Sequence, residues 1–138
     1  MKVHTTNYID TFIEIAEDAE ALDGIVPPAR GDARTVAQLQ YEMLADRPYA
    51  YTSDDVLFTV YATRKELSDD ELAEQRAAFF SKGQPSFRAS PLTKTYGWGV
   101  HNDSEGRIAI YPVGSEAYNR FLADPSVKKV KAMRSKKG

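Results

Sequence analysis

The segment from Ser81 to Lys94 carries the residue types that could bind an anion. It offers the three cations Lys82, Arg88 and Lys94, and it has no acidic side chain in fourteen residues. The same segment carries four hydroxyl groups, at Ser81, Ser86, Ser90 and Thr93. Guanidinium and ammonium groups, together with hydroxyls and free backbone amides, are the donors that an oxyanion site needs. The segment therefore predicts a site for an anionic small molecule; the alternative is a solvated loop whose cations pair with acids.

The segment that follows, Tyr96 to His101, is predicted to be a strand and carries two further candidate ligands. Because side chains alternate along a strand, Trp98 faces one side, while Gly97, Gly99 and His101 face the other. Glycine in a strand marks the close approach of a ligand or of another part of the protein. The glycine face is therefore either a shallow binding floor or a surface on which a helix packs, and we favour packing.

We expect both segments to border one depression, because the loop leads directly into the strand. The predicted ligand-binding residues are Lys82, Arg88, Ser90, Lys94, Trp98 and His101. His101 is also the candidate general base of an enzyme, since an imidazole titrates near neutral pH. The sequence shows no nucleophile placed to work with it, so the catalytic residues are not predicted.

Several other chemistries lack their residues in this chain. The sequence has no cysteine and only two histidines, which excludes disulfide scaffolds, thiolate nucleophiles and zinc sites with sulfur ligands. Glycine-rich phosphate loops and the HExxH and GxSxG motifs are absent as well. We predict neither a metal nor a cofactor, and whether the protein is an enzyme stays open.

Hydrophobic periodicity assigns the chain to the α+β class. Alternation predicts strands at 7–16, 56–63, 96–101 and 107–112, the last two joined as a hairpin. We expect a single domain in which three helices pack on a four- or five-stranded sheet that is at least partly antiparallel. Asp32 is the predicted cap of the first helix, and a capping box from Ser68 to Glu71 opens the second, which runs to about Ser81. A short third helix follows Ser115.

Charge is distributed unevenly along the chain. The last thirteen residues hold six of the 18 basic residues and none of the 20 acidic ones, which leaves residues 1–125 with a charge of −8. We therefore divide the chain into a globular domain over 1–125 and a basic tail over 126–138, whose order is left open. The tail could contact a nucleic acid or an acidic protein, or fold back onto the acidic body. The acidic body argues against a nucleic-acid partner.

No apolar run approaches the roughly 20 residues that a membrane span needs. The first 18 residues also lack the apolar core of a signal peptide. We therefore expect a cytoplasmic protein without a membrane partner. The oligomeric state is not indicated.

Four longer motifs run through the chain: YTSDDVLF at 51–58, FFSKGQP at 79–85, RASPL at 88–92 and YGWG at 96–99. In these motifs the chain resembles a small bacterial family that is known only as a domain of unknown function. The resemblance covers nearly the whole chain and implies a bacterial, cytoplasmic, single-domain protein. It implies no activity, cofactor or catalytic residue. Relatives often carry cysteine where this chain has Ser86, which weakens any thiol-based mechanism.

Three functions are consistent with these observations. The leading hypothesis is a binding domain for a phosphate-bearing or other anionic small molecule, held by the 81–94 segment. The second is an enzyme that uses the same depression with His101 as base. The third is an interaction module for nucleic acid or protein that works through the basic tail.

Overall fold

A computed structural model describes residues 3–135 and builds them around one five-stranded sheet. The strands are β1 (Thr11–Glu14), β2 (Tyr51–Thr52), β3 (Trp98–Asn102), β4 (Arg107–Pro112) and β5 (Lys128–Lys131). Their order across the sheet is β2-β4-β3-β1-β5. β1 and β5 run parallel, whereas the other neighbouring strands are antiparallel. The predicted α+β class and a five-stranded, partly antiparallel sheet are therefore confirmed.

Within residues 3–135 the chain forms five α-helices, two more than predicted. They are α1 (Val36–Leu44), α2 (Ser53–Arg64), α3 (Leu72–Phe79), α4 (Pro91–Lys94) and α5 (Glu116–Ala123). All but α4 contain eight residues or more. None of these helices combines the length and the apolar character that crossing a membrane requires.

The helices cover both faces of the sheet. Ile13, Val100 and Ile108 point from the sheet into the main core, where α1, α2 and α4 cover them, and none is more than 1% exposed. α5 covers the opposite face, where the ring of Tyr118 meets the ring of Phe12 edge-on at 4.9 Å. α3 packs on α2, with which it shares a second apolar cluster.

The predicted strand at 56–63 is wrong, because this segment lies inside α2. Val56 and Val60 face the main core, whereas Phe58 and Ala62 belong to a second apolar cluster shared with α3. Each pair is spaced i, i+4, and the two pairs lie on opposite sides of the helix. A helix buried on two sides in this way imitates the alternation of a strand.

Two capping boxes decide where the first helices begin. α1 begins at Val36 rather than at residue 33, because Thr35 Oγ1 accepts from the backbone of Gln38 at 3.1 Å and Gln38 Oε1 accepts from the backbone of Thr35 at 2.9 Å. Thr52 and Asp55 exchange the equivalent bonds at the start of α2, both at 3.1 Å. These reciprocal bonds satisfy backbone donors that a helix start leaves unpaired.

The box from Ser68 to Glu71 is present but opens a 3-10 turn, Asp69–Glu71, before α3 begins. The Glu71 carboxylate accepts from the backbone and from the hydroxyl of Ser68, which lowers the pKa of Glu71. α3 ends at Phe79, short of the predicted end near residue 81. The next residue, Phe80, leaves helical geometry and is buried in the cluster between α2 and α3.

Part of the predicted basic tail is a strand of the sheet, since β5 pairs in parallel with β1. Beyond β5, Ala132 is 4% exposed and its backbone nitrogen donates to the carbonyl of Glu14 at 2.9 Å. The Lys131 ammonium pairs with the Glu17 carboxylate at 3.0 Å. The chain thus folds back onto its acidic body. Two of the six basic residues of the tail, Lys136 and Lys137, lie outside the described residues.

Candidate functional site

The predicted anion-binding segment is largely built into the core. It contains a 3-10 turn, Phe87–Ala89, followed directly by α4. Phe87, Leu92 and Thr93 are at most 1% exposed. The Ser90 hydroxyl accepts from the backbone nitrogen of Leu92 at 3.1 Å and so caps α4. The segment is therefore a folded wall of the protein and not a solvated loop.

Trp98 and His101 lie on opposite faces of the sheet. The Trp98 ring packs 5.5 Å from Tyr41 of α1, and its Nε1 donates to the carbonyl of Ile25 at 2.9 Å. The His101 ring instead stacks on Phe121 of α5 at 4.1 Å. The predicted single depression around both residues is wrong, because strand alternation separates them.

The three predicted cations do not share one role. Arg88 Nε donates to the carbonyl of Lys131 at 2.7 Å, and the Arg88 carbonyl accepts from Met133 at 2.7 Å. Arg88 therefore ties the end of β5 to the 87–89 turn. Lys82 and Lys94 form no ion pair with any residue between 3 and 135.

The glycine face of β3 is a packing surface, as favoured. A Cβ atom added to Gly99 would lie 2.5 Å from Phe12 Cζ and 2.6 Å from Tyr118 Cε2. Such distances are shorter than van der Waals contact, so the absent side chain is what lets α5 approach. The floor predicted for a ligand is occupied by these two rings.

His101 belongs to a hydrogen-bonded chain of three side chains. Its Nδ1 lies 2.8 Å from the hydroxyl of Tyr49, which lies 2.9 Å from the hydroxyl of Tyr111. Burial, the largest cause, lowers the pKa of His101, and burial together with Tyr111 raises the pKa of Tyr49. The imidazole is therefore neutral near pH 7, and its Nδ1 is hydrogen-bonded to the Tyr49 hydroxyl. A base engaged in this way ties the central strand β3 to β4 and to the segment before β2.

A pocket of about 520 Å³ lies between α1, α2 and residues 84–91. This volume is in the range of small-molecule sites. Among the described residues that line it there is no acid, and the cations are Arg64 and Lys65. Its walls are mostly apolar or aromatic: Val36, Leu57, Val60, Tyr61, Phe79, Pro85, Ala89 and Pro91.

The buried polar part of this pocket is a pair of side chains from two elements. Gln40 of α1 is 2% exposed, and its Oε1 accepts from the Ser90 hydroxyl at 2.6 Å. Gln84 also lines the pocket, but its Nε2 donates to the carbonyl of Phe79 at 2.7 Å. Of the six predicted ligand-binding residues, only Ser90 lines this pocket.

The two cations stand at the exposed mouth of the pocket. Arg64 is the last residue of α2 and Lys65 is its C-cap. Within the part of the chain that the structure describes, neither residue pairs with a carboxylate. The Lys65 ammonium lies 5.9 Å from the ring centroid of Tyr61. Cations at a helix C-terminus interact favourably with the helix dipole. Because neither cation has a carboxylate partner in the described part of the chain, both are available to an anion.

A second pocket, of about 420 Å³, lies between α2 and α3. Its cation is already neutralised, because Arg76 Nη2 donates to Asp55 Oδ1 at 2.9 Å. Asp69 also lines it. Among residues 3–135 no group of three or more histidine, aspartate or glutamate side chains is placed to hold a metal. The pocket between α1 and α2 is therefore the better anion site.

Sequence reasoning missed Gln40, Arg64 and Lys65 as site residues. Because the alternation at 56–63 predicts a strand, it does not reveal that Leu57, Tyr61 and Arg64 lie on one helical stripe. Gln40 falls within the first predicted helix, but nothing in its local sequence indicates that it borders a pocket.

The chain matches a family model over residues 3–138, and that family is described as being of unknown function, DUF6157. The chain belongs to this family. This match confirms the prediction that the chain is a domain of unknown function. No curated protein and no solved structure matches the chain. Membership of DUF6157 assigns no activity, so function has to be argued from the geometry of the site.

Proposed function

We propose that this DUF6157 protein binds a small anionic molecule with an apolar body in the pocket between α1, α2 and residues 84–91. The observation that carries the proposal is the pair Arg64 and Lys65. Both stand, without a carboxylate partner among the described residues, at the mouth of an apolar pocket that has no acid in its lining. The acid group of the ligand would lie at these cations and its body against the apolar walls.

The two parts of the site contribute differently to binding. Apolar burial is non-directional and would supply affinity for the body of the ligand. Arginine presents a planar fork that suits carboxylate and phosphate oxygens, and lysine adds a second positive charge. The acidic surroundings of a chain with net charge −2 make a local acid-free, cationic surface the favourable place for an anion. In this proposal residues 84–91 of the predicted 81–94 segment form a wall, whereas Lys82, Arg88 and Lys94 take no part in binding.

Neither alternative function is favoured by a specific observation. His101 has its Nδ1 engaged by Tyr49 and does not line the pocket. In the tail, the Lys129 ammonium donates to backbone carbonyls of its own segment, and Lys131 pairs with Glu17. A bacterial, cytoplasmic protein remains the expectation, supported by the motif resemblance.

The test compares ligands that share a body and differ in charge. Octanoate and octyl phosphate carry an acid on an eight-carbon chain, 1-octanol is uncharged, and inorganic phosphate has no body. Isothermal titration calorimetry is expected to detect binding of the two octyl anions and much weaker binding of the other two. The double variant Arg64→Ala/Lys65→Ala is expected to weaken binding of the octyl anions by about tenfold, or ~1.4 kcal/mol.

The matched control is Lys82→Ala/Lys94→Ala, which changes the net charge equally but lies outside the pocket. It is expected to bind octanoate like the wild type. Equal losses in both double variants would indicate a general effect of charge and would overturn the proposal. Loss in the control alone would return the site to the residues predicted from sequence.

A further inference from the structure

We propose that the ligand also carries a carbonyl oxygen on its apolar body, and that the carboxamide nitrogen of Gln40 donates a hydrogen bond to it. This inference rests on the proposed function and names the class of ligand. The class is an oxo acid, in which an apolar chain or ring separates a terminal acid from a carbonyl group. The acid would lie at Arg64 and Lys65, and the carbonyl would lie deeper, at Gln40.

The inference starts from a side-chain donor that has no partner in the described protein. Gln40 is 2% exposed and lines the pocket, yet within residues 3–135 only its oxygen has a hydrogen-bond partner, the Ser90 hydroxyl. Its Nε2 donates to no described residue. This nitrogen is not among the fully buried atoms that lack a partner, which in the described residues are represented by Asn102 Oδ1, so it faces the open space of the pocket. An acceptor supplied by a ligand would replace the solvent at this nitrogen.

Ser90 decides which end of the Gln40 amide is available. The Ser90 hydroxyl oxygen already accepts from the backbone nitrogen of Leu92 at 3.1 Å, so its own proton is free to be donated. That proton goes to Gln40 Oε1 at 2.6 Å. A reversed amide would direct a second donor at this oxygen and leave the hydroxyl proton without an acceptor. The nitrogen is thus the atom left for the ligand, and it selects an acceptor over a donor.

Depth separates the carbonyl from the acid. The pocket follows α2 from Leu57 to Lys65, about 12 Å at 1.5 Å per residue. Arg64 and Lys65 are exposed at one end of this stretch, whereas Gln40 enters from α1 and is buried. An acid suits the exposed cations, whereas the buried Gln40 nitrogen suits an uncharged acceptor. An acid with a second, uncharged acceptor meets both requirements.

The experiment compares octanoate with its positional isomers 4-, 5-, 6- and 7-oxooctanoate, which keep the acid and the chain length. Dissociation constants are measured for the wild type and for Gln40→Met, which removes the donor and keeps an unbranched side chain. For each isomer, the dissociation constant of octanoate is divided by that of the oxooctanoate. For at least one isomer this ratio is expected to be about tenfold larger in the wild type than in Gln40→Met. The matched control Gln75→Met makes the same change at a glutamine of α3 that does not line the pocket, and its ratios are expected to equal those of the wild type.

A second measurement needs no variant. In ¹⁵N-labelled wild type the side-chain amide signal of Gln40 is expected to shift with the best oxooctanoate and to stay in place with octanoate. Equal ratios in wild type and Gln40→Met, with an unmoved amide signal, would overturn this inference while the proposed function stands. Absence of binding by octanoate and by every isomer would overturn the proposed function and this inference with it.

Discussion

Tyr118 of α5 accepts a hydrogen bond from the backbone nitrogen of Ile15, immediately after β1, at 2.9 Å. The bond joins α5 to the end of β1, on the face of the sheet opposite to α1, α2 and α4. Burial raises the pKa of the Tyr118 hydroxyl, so the group stays neutral throughout the physiological range. The same ring fills the space above Gly99, which makes this glycine a structural requirement.

We predict that Gly99→Ala lowers the free energy of unfolding by about 1–3 kcal/mol, because its Cβ would overlap Phe12 and Tyr118. Urea denaturation measures the change. The control is Gly83→Ala, whose Cβ would meet only His4 Nδ1, at an ordinary 3.8 Å. It is expected to change stability by less than about 0.5 kcal/mol. Equal stability of the two variants would contradict the packing described for α5.

We predict that Thr52→Ala destabilises the protein by about 1 kcal/mol through the lost cap of α2. Thr52 Oγ1 accepts from the backbone nitrogen of Asp55, a donor that the helix cannot otherwise satisfy. Thr63→Ala is the control, because its exposed hydroxyl only donates to a helix carbonyl, that of Thr59. A shift of the thermal midpoint in Thr63→Ala as large as in Thr52→Ala would argue against the cap.

We predict that deletion of residues 132–138 destabilises the protein by about 1–3 kcal/mol, through two lost backbone hydrogen bonds. These bonds run from Ala132 to Glu14 and from Met133 to Arg88. The double substitution Met133→Ala/Arg134→Ala keeps the backbone and changes only exposed side chains, so it is expected to retain stability. Unchanged urea denaturation of the deleted protein would show that these residues do not support the fold.

We predict that His101 makes stability fall as the pH drops below about 6.5. Burial lowers the pKa of His101 in the folded state, while the unfolded chain titrates near 6.5. Between these two pKa values the unfolded state binds more protons, so stability rises with pH and reaches its full value above 6.5. His101→Gln is expected to flatten this dependence and His4→Gln to retain it. An imidazole titration by NMR with a midpoint above 6.5 would contradict the prediction.

Much of the sheet could be predicted because its strands are buried in a regular way. The hairpin of β3 and β4 carries clear alternation and a polar turn, and both strands form close to their predicted bounds. α2 could not be predicted, since the sheet and α3 bury it from two sides. Its start signal is nonetheless local: Thr52 and Asp55 are spaced as in the Ser68–Glu71 box.

The site could be predicted only in part, because it depends on contacts between distant segments. The composition of residues 81–94 directed attention to one wall of the pocket, and Ser90 lies there. Arg88 has the same composition signal but bonds a backbone carbonyl of β5, a partner 43 residues away. Gln40 becomes a candidate only once Ser90 is seen to hold its oxygen. Such contacts between distant segments cannot be predicted from the local sequence.

The pairing of β1 with β5 joins two segments that are synthesised far apart in time. Thr11 is aligned with Lys128, so β1 cannot pair with β5 until translation has passed residue 128. At the usual 5–20 residues per second the interval is roughly 6–23 s, during which one edge of β1 has no partner. Unpaired strand edges are templates for aggregation. Ribosome-bound chains that have not yet reached residue 128 are therefore the form of this protein that depends most on nascent-chain chaperones.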